Sequence, residues 1–411
     1  MIKDIVNRIR AGRFTPSRLI YYIFCGAFFV MPMGTSPFII LGGLALLTWL
    51  FSGEFLRRRR SYMKETWLLP VFAIIVLSFI GLIWSPDPSG LGIKYAKKSY
   101  YWLFALSIAS VGFSKNPVQN LIKAFLIGLL INSIAGFLQL AEILPRFAEY
   151  GRTGYTGFYG GYNTLEILLI LGMMTASSFY RSTSDRKEKI LFISLVPVYF
   201  FHLTLLEGRG GYLTFFILLP VILMNIFRRK KVLWIGFVYI LVIAVILSSP
   251  VIRFRIHQSV ESLRLHFSSE SDVVWGKKHT EYIDRIYMWR WAIDLFLEHP
   301  LIGVGTGGYY RSILQGGGEQ GMAHPHNNVL HVAVSYGILG LLIYGWLFWI
   351  LLKAGWRNRE NPVGFFILSS TLVILVGGLT NTHILDAGGT FLLAVTVGLL
   401  SSLPPSTPVS E

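Results

Sequence analysis

Twelve apolar runs punctuate this chain, at about residues 19–33, 37–52, 67–84, 99–113, 119–143, 163–180, 190–206, 211–227, 232–249, 328–352, 363–380 and 386–403. About 20 apolar residues of helix cross the hydrocarbon core of a bilayer, so each run is expected to be a membrane-spanning helix. Hydrophobic residues make up 53% of the chain and charged residues 14%, where a soluble chain would be about a quarter charged. The expected fold is all-α: a polytopic membrane protein with about twelve transmembrane helices and one large, partly helical extracytoplasmic loop. The net charge of +16 then reports cytoplasmic loop bias and anionic headgroups and does not call for a nucleic-acid partner. The single cysteine, Cys25, excludes an intramolecular disulfide and reads as membrane packing. No small-residue cleavage site follows the first run, which therefore reads as a retained helix.

Basic residues set the orientation. Arg57 to Arg60, Arg181 with Arg186 to Lys189, Arg228 to Lys231, and Lys353 with Arg357 and Arg359 fall in alternate loops. All are cytoplasmic together if both termini are inside. Lys94, Lys97 and Lys98 then fall on the outer side, against the trend. The expected organisation is a basic amphipathic helix at 1–18 on the cytoplasmic leaflet, spans one to nine over 19–249, an extracytoplasmic loop module over 250–327, spans ten to twelve over 328–403, and a cytoplasmic tail at 404–411. The loop module holds six of the nine histidines, and Glu281 to Glu298 reads as a helix stopped by Pro300 with apolar positions Ile286, Trp289, Ile293 and Phe296.

Several residues could carry chemistry on the outer face. Arg209 stands in the turn Glu207-Gly208-Arg209-Gly210-Gly211. At a membrane edge it either snorkels, pairs with Glu207, or binds an anion such as phosphate, whose oxygens match its planar fork. Arg285 either pairs with Glu281 four residues earlier or serves the same purpose, with Trp289 one turn on. His326 and Asn327 precede an apolar helix whose N-terminus faces out, with Asn327 or Asn328 as its cap. The positive helix end disfavours imidazolium, so the histidine stays able to accept a proton; the alternative is a structural histidine. A metal shared by His324 and His326 is an alternative, but no Asp or Glu nearby completes a set. Gly303-Val304-Gly305-Thr306-Gly307-Gly308 matches G-x-G-x-x-G formally, without the strand, helix and acidic residue of a dinucleotide site. It reads as a tight turn, and no cofactor is expected.

Three stretches together resemble the O-antigen ligase/polymerase family of bacterial polyprenyl-linked glycan transferases. They are Glu207-Gly208-Arg209-Gly210-Gly211; Asp284-Arg285 through Met288-Trp289 to His299-Pro300-Leu301-Ile302-Gly303-Val304-Gly305; and His324-Pro325-His326-Asn327-Asn328-Val329-Leu330 through Gly337-Ile338-Leu339-Gly340-Leu341. The serine that usually precedes the first arginine is Gly208 here. The resemblance implies transfer of a glycan from undecaprenyl diphosphate to a lipid A–core sugar at the periplasmic face of the bacterial inner membrane, with inversion. Arg209 and Arg285 would hold the diphosphate without a metal, and His326 would be the base. Trp289, His324 and Asn327 are expected to contact substrate, alongside membrane lipids. The same motifs fit a polymerase that joins two polyprenyl-linked repeat units; the compact chain and single long loop favour a ligase. A transporter or flippase for lipid-linked sugars is the third reading. Transporters place ionisable groups near the midplane and often carry internal repeats, whereas the candidates here cluster at one face.

Overall fold

A computed structural model describes residues 15–57, 59–112, 115–146, 154–227, 232–248, 253, 257, 260, 281–316 and 323–404. The basic segment expected at 1–18 lies almost wholly outside these residues, as do most of the stretch between 249 and 280 and the tail beyond 404. Among the described residues the protein is helical, with no strand.

Each of the twelve apolar runs coincides with a helix. In chain order the principal helices are α1 (Pro16–Val30), α2 (Thr35–Phe51), α3 (Leu68–Ile80), α4 (Trp102–Val111), α5 (Lys115–Leu140), α6 (Tyr162–Ser182), α7 (Arg186–Thr204), α8 (Arg209–Phe227), α9 (Val232–Ser248), α10 (Glu281–Glu298), α11 (Gly308–Gln315), α12 (Asn328–Arg357), α13 (Pro362–Gly377) and α14 (Ala387–Leu399). Four, α1, α5, α8 and α12, are long and apolar enough to cross a membrane by length and composition alone; α2, α3, α13 and α14 are shorter apolar helices.

The core sits around α6, α13 and α14. Residues 164–179 of α6 are all buried, and so are 388–399 of α14. Helices apolar on every side belong in the interior or against lipid, and tertiary packing selects α6, α13 and α14 for the interior. α6 packs against α7, α8 and α13, and α13 packs against α12 and α14. Around them the outer helices turn large apolar side chains outward, among them Phe51, Leu233, Leu342 and Trp349. A continuous apolar perimeter of this kind is what a lipid-facing surface requires.

The charged loops separate into two ends. At one, Arg181 pairs with Glu360 at 2.5 Å and Lys123 with Glu188 at 3.1 Å, joining loops whose basic residues were expected on one side. At the other, Tyr95 donates to the Ala323 carbonyl and Lys98 to the Leu385 carbonyl. Tyr95 and Lys98 thus belong to the end that gathers the loop module.

Two expectations about the loop module change. Glu281 to Glu298 is a helix with the bounds read from the sequence, but its packed face is different. Met288 and Ala292 are buried, while Ile293 is exposed, because α10 lies against α12 and accepts the Tyr309 hydroxyl at the Met288 carbonyl, 2.9 Å. The run at 328–352 is also not one continuous helix. Gly337 breaks α12 with φ +63 and ψ −155, a conformation only glycine adopts at no steric cost.

The glycine-rich turn fills that break. Val304 and Gly305 donate their N–H groups to the Val334 and Ser335 carbonyls at 2.8 and 3.0 Å; Ile338 and Leu339 donate theirs to the Pro300 and Leu301 carbonyls at 2.8 and 3.2 Å. Backbone groups released by a broken helix must find partners when water is absent, and the inserted turn supplies them. Gly303, Gly305 and Gly307 all have positive φ, so this is the tight turn the sequence suggested. Thr306 then fastens it to α3: its N–H donates to the Gly81 carbonyl at 3.0 Å and its hydroxyl to the Ser78 carbonyl at 2.7 Å.

Candidate functional site

The turn before α8 carries Arg209. Its glycines are there because an acid lies beneath them. Glu166, on α6, is 3% exposed. A Cβ on Gly208 would stand 1.6 Å from Glu166 Oε1, and one on Gly211 would stand 2.4 Å from its Cδ. The backbone N–H groups of Gly211 and Gly208 reach the carboxylate, and Arg285 acts on its charge; Oε1 itself makes no hydrogen bond. Gly210 faces Thr380, whose Oγ1 would be 2.4 Å from an added Cβ. Side chains at these positions are therefore excluded by contact. Gly208→Ala is expected to lower stability by about 1–3 kcal/mol, the usual cost of overpacking a tight interior. Thermal unfolding of the purified protein measures it. Glu166→Ala should remove most of the Gly208→Ala penalty when the two are combined; additive losses would contradict the contact.

Arg209 and Arg285 line one cavity, although they come from α8 and α10. Tyr162, Asn163, Glu166, Thr214, Thr380, Asn381 and His383 complete much of its wall, around about 280 Å³ of space that includes its open mouth. The side chain of Glu281, the alternative partner for Arg285, lies outside the described residues.

His326 joins the same wall through Asn381. Its Nδ1 is 3.2 Å from Asn381 Oδ1. The His326 backbone has φ +47, the left-handed region, which costs a non-glycine residue about 1–2 kcal/mol and is found where the surroundings over-determine it. Two asparagines supply that constraint. Asn327 caps α12, as expected, accepting the Leu330 N–H at 3.1 Å and donating to the Leu379 carbonyl at 3.0 Å. Asn328 donates its backbone N–H to Gly378 at 2.6 Å, donates its side chain to Ile374 at 3.0 Å, and accepts from Ile384 at 3.2 Å. The start of α12 is thereby bolted to the turn between α13 and α14.

The other expected residues surround His326. His324 lies beside it, ring centroids 4.4 Å apart and planes tilted by 52°. Burial, with help from His326 and Lys98 and against the pull of Asp386, holds the His324 pKa down at about 4, so this ring is neutral at neutral pH. Trp289 donates its indole N–H to the Pro325 carbonyl at 2.9 Å and so braces the histidine segment from α10. Among the described residues no group of three His, Cys, Asp or Glu side chains is placed to hold a metal.

Comparison with known proteins agrees with the motifs. Residues 192–345 match the family model described as O-antigen ligase. This region is similar to the O-antigen ligase family. A 95-residue stretch is also 34% identical to the O-antigen ligase of Pseudomonas aeruginosa, covering 23% of this chain and 23% of that protein. The matched region contains α8 and α10, most of α7 and the first half of α12, and hence Arg209, Arg285 and His326 together.

The site also uses residues that sequence reasoning passed over. Glu166, Asn381 and His383 all line the cavity, and none falls within residues 192–345. Glu166 did leave a signal: a carboxylate within an otherwise apolar run is costly and marks a functional position. His383, paired with Asp386 at 3.3 Å, and Asn381 gave only the polarity of a short turn.

Proposed function

We propose that this protein is an O-antigen ligase that moves a glycan from undecaprenyl diphosphate to a sugar of lipid A–core. The observation that carries the reading is one cavity lined by two arginines from different helices, with His326 held against Asn381 of its wall. In the proposed arrangement all twelve apolar helices span the bacterial inner membrane, both termini are cytoplasmic, and the cavity opens to the periplasm. The polyprenyl chain then lies in the bilayer and presents its diphosphate at the cavity mouth.

The chemistry follows from the residue types. His326 takes the proton of the acceptor hydroxyl as its oxygen attacks the anomeric carbon. The bond from that carbon to the diphosphate oxygen breaks, its electron pair stays with the diphosphate, and the configuration inverts. Diphosphate is a weak base and needs no general acid; it needs cations, which Arg209 and Arg285 provide as preorganised donors. No metal is assigned a role. Trp289, His324 and Asn327 border the corner where the sugars would meet.

Reconstitution in proteoliposomes tests the reading. With a polyprenyl-diphosphate glycan as donor, lipid A–core should be glycosylated, and excess chelator should not stop the reaction. Transfer only to a second polyprenyl-linked repeat unit would make the protein a polymerase. Movement of the donor across the bilayer without transfer would make it a flippase.

A further inference from the structure

The turn between α13 and α14 determines which nitrogen of His326 carries the proton. Asn381 Oδ1 accepts the backbone N–H of Thr382 at 2.8 Å. That bond fixes which end of the amide is oxygen: turning the group over would set N–H against N–H. The same oxygen faces His326 Nδ1 at 3.2 Å. An amide oxygen accepts and cannot donate, so Nδ1 must be the donor. In a neutral imidazole the lone pair is then on Nε2. Asn381 is 6% exposed and its Nδ2, also buried, makes no hydrogen bond among the described residues. The contacts that hold this side chain are therefore made through Oδ1. The left-handed His326 backbone and the Asn327 and Asn328 bonds keep the ring at this partner.

We propose that Asn381 is a positioning residue that fixes His326 as the Nδ1–H tautomer, so that Nε2 is the atom that receives the acceptor's proton. This rests on the reading of His326 as the base. It assigns to a residue outside the matched family region a role in presenting the reactive atom inside it.

The test uses the full-length protein in nanodiscs. Nitrogen-15 NMR of histidine-labelled protein, with the His326 signals identified by difference against His326→Gln, should show Nδ1–H. Asn381→Ala should shift His326 toward the other tautomer. Turnover should then fall roughly 10²-fold with the donor KM within about threefold of the parent. Asn381→Asp is the same size and keeps the acceptor but adds a charge. It should move the acid limb of the kcat/KM profile to higher pH by about one unit. His324 beside the ring, with Lys98 and Asp386 behind it, and Arg209, Arg285, Glu166 and His383 around the cavity are unchanged in that variant, so the shift reads the new carboxylate. An Nε2–H tautomer in the parent, or Asn381→Ala with unaltered tautomer and turnover, would overturn the inference while leaving His326 as base. A fully active His326→Ala would remove the base itself, and this inference with it.

Discussion

His326→Ala is expected to bind undecaprenyl diphosphate nearly as the parent does and to turn over roughly 10²-fold or more slowly, the usual contribution of a general base. The separation follows from position. The cavity wall that would grip the diphosphate includes Arg209 and Arg285, and His326 meets that wall at Asn381. Removing the imidazole takes away the proton acceptor and leaves the cations in place. Alanine keeps a Cβ at φ +47, so His326→Gly, which relieves the backbone, serves as a control; it should be as inactive as the alanine variant. Lipid affinity and single-turnover rate measured on the same preparations decide the matter. Near-normal turnover in either variant would leave His326 a cap neighbour with no part in the chemistry.

Arg209→Lys and Arg285→Lys are expected to fail in a different manner. Each keeps its charge, yet both donor affinity and turnover should fall, by roughly tenfold or more, because an ammonium cannot reproduce the two parallel N–H bonds of a guanidinium to phosphate oxygens. Arg285 also lies close enough to Glu166 to act on its carboxyl group. If both lysine variants bind the diphosphate lipid as tightly as the parent, the arginines act only as diffuse charge and the bidentate grip is wrong.

Much of the fold was legible because apolar length is a local signal. Every expected run became a helix, and Pro300 marked the end of α10. The two arginines and His326 were legible because cations and an imidazole stand out beside glycines, proline and a helix cap. What was hidden depended on contacts between distant segments. Asn381 is 55 residues from His326, and nothing in Leu379-Thr380-Asn381-Thr382 announces a partner. The face of α10 was misjudged because two apolar stripes compete on one helix, and only the position of α12 selects Met288 and Ala292. The break at Gly337 was missed because glycine is ordinary in membrane helices; its meaning comes from Pro300 to Gly305, which no window around residue 337 contains.

That insertion has a consequence for how such a sequence can change over time. The carbonyls of Pro300 and Leu301 and the N–H groups of Val304 and Gly305 meet the 334–339 backbone in fixed register, and a Cβ on Gly337 would stand 2.4 Å from the Leu301 carbonyl carbon. Neither stretch can gain or lose a residue by itself. An insertion in one is tolerated only with a matching one in the other, so the two should be inherited as a single block, and chimaeras that exchange the loop before α12 between relatives should place their junctions outside residues 299 to 340 or exchange both halves at once.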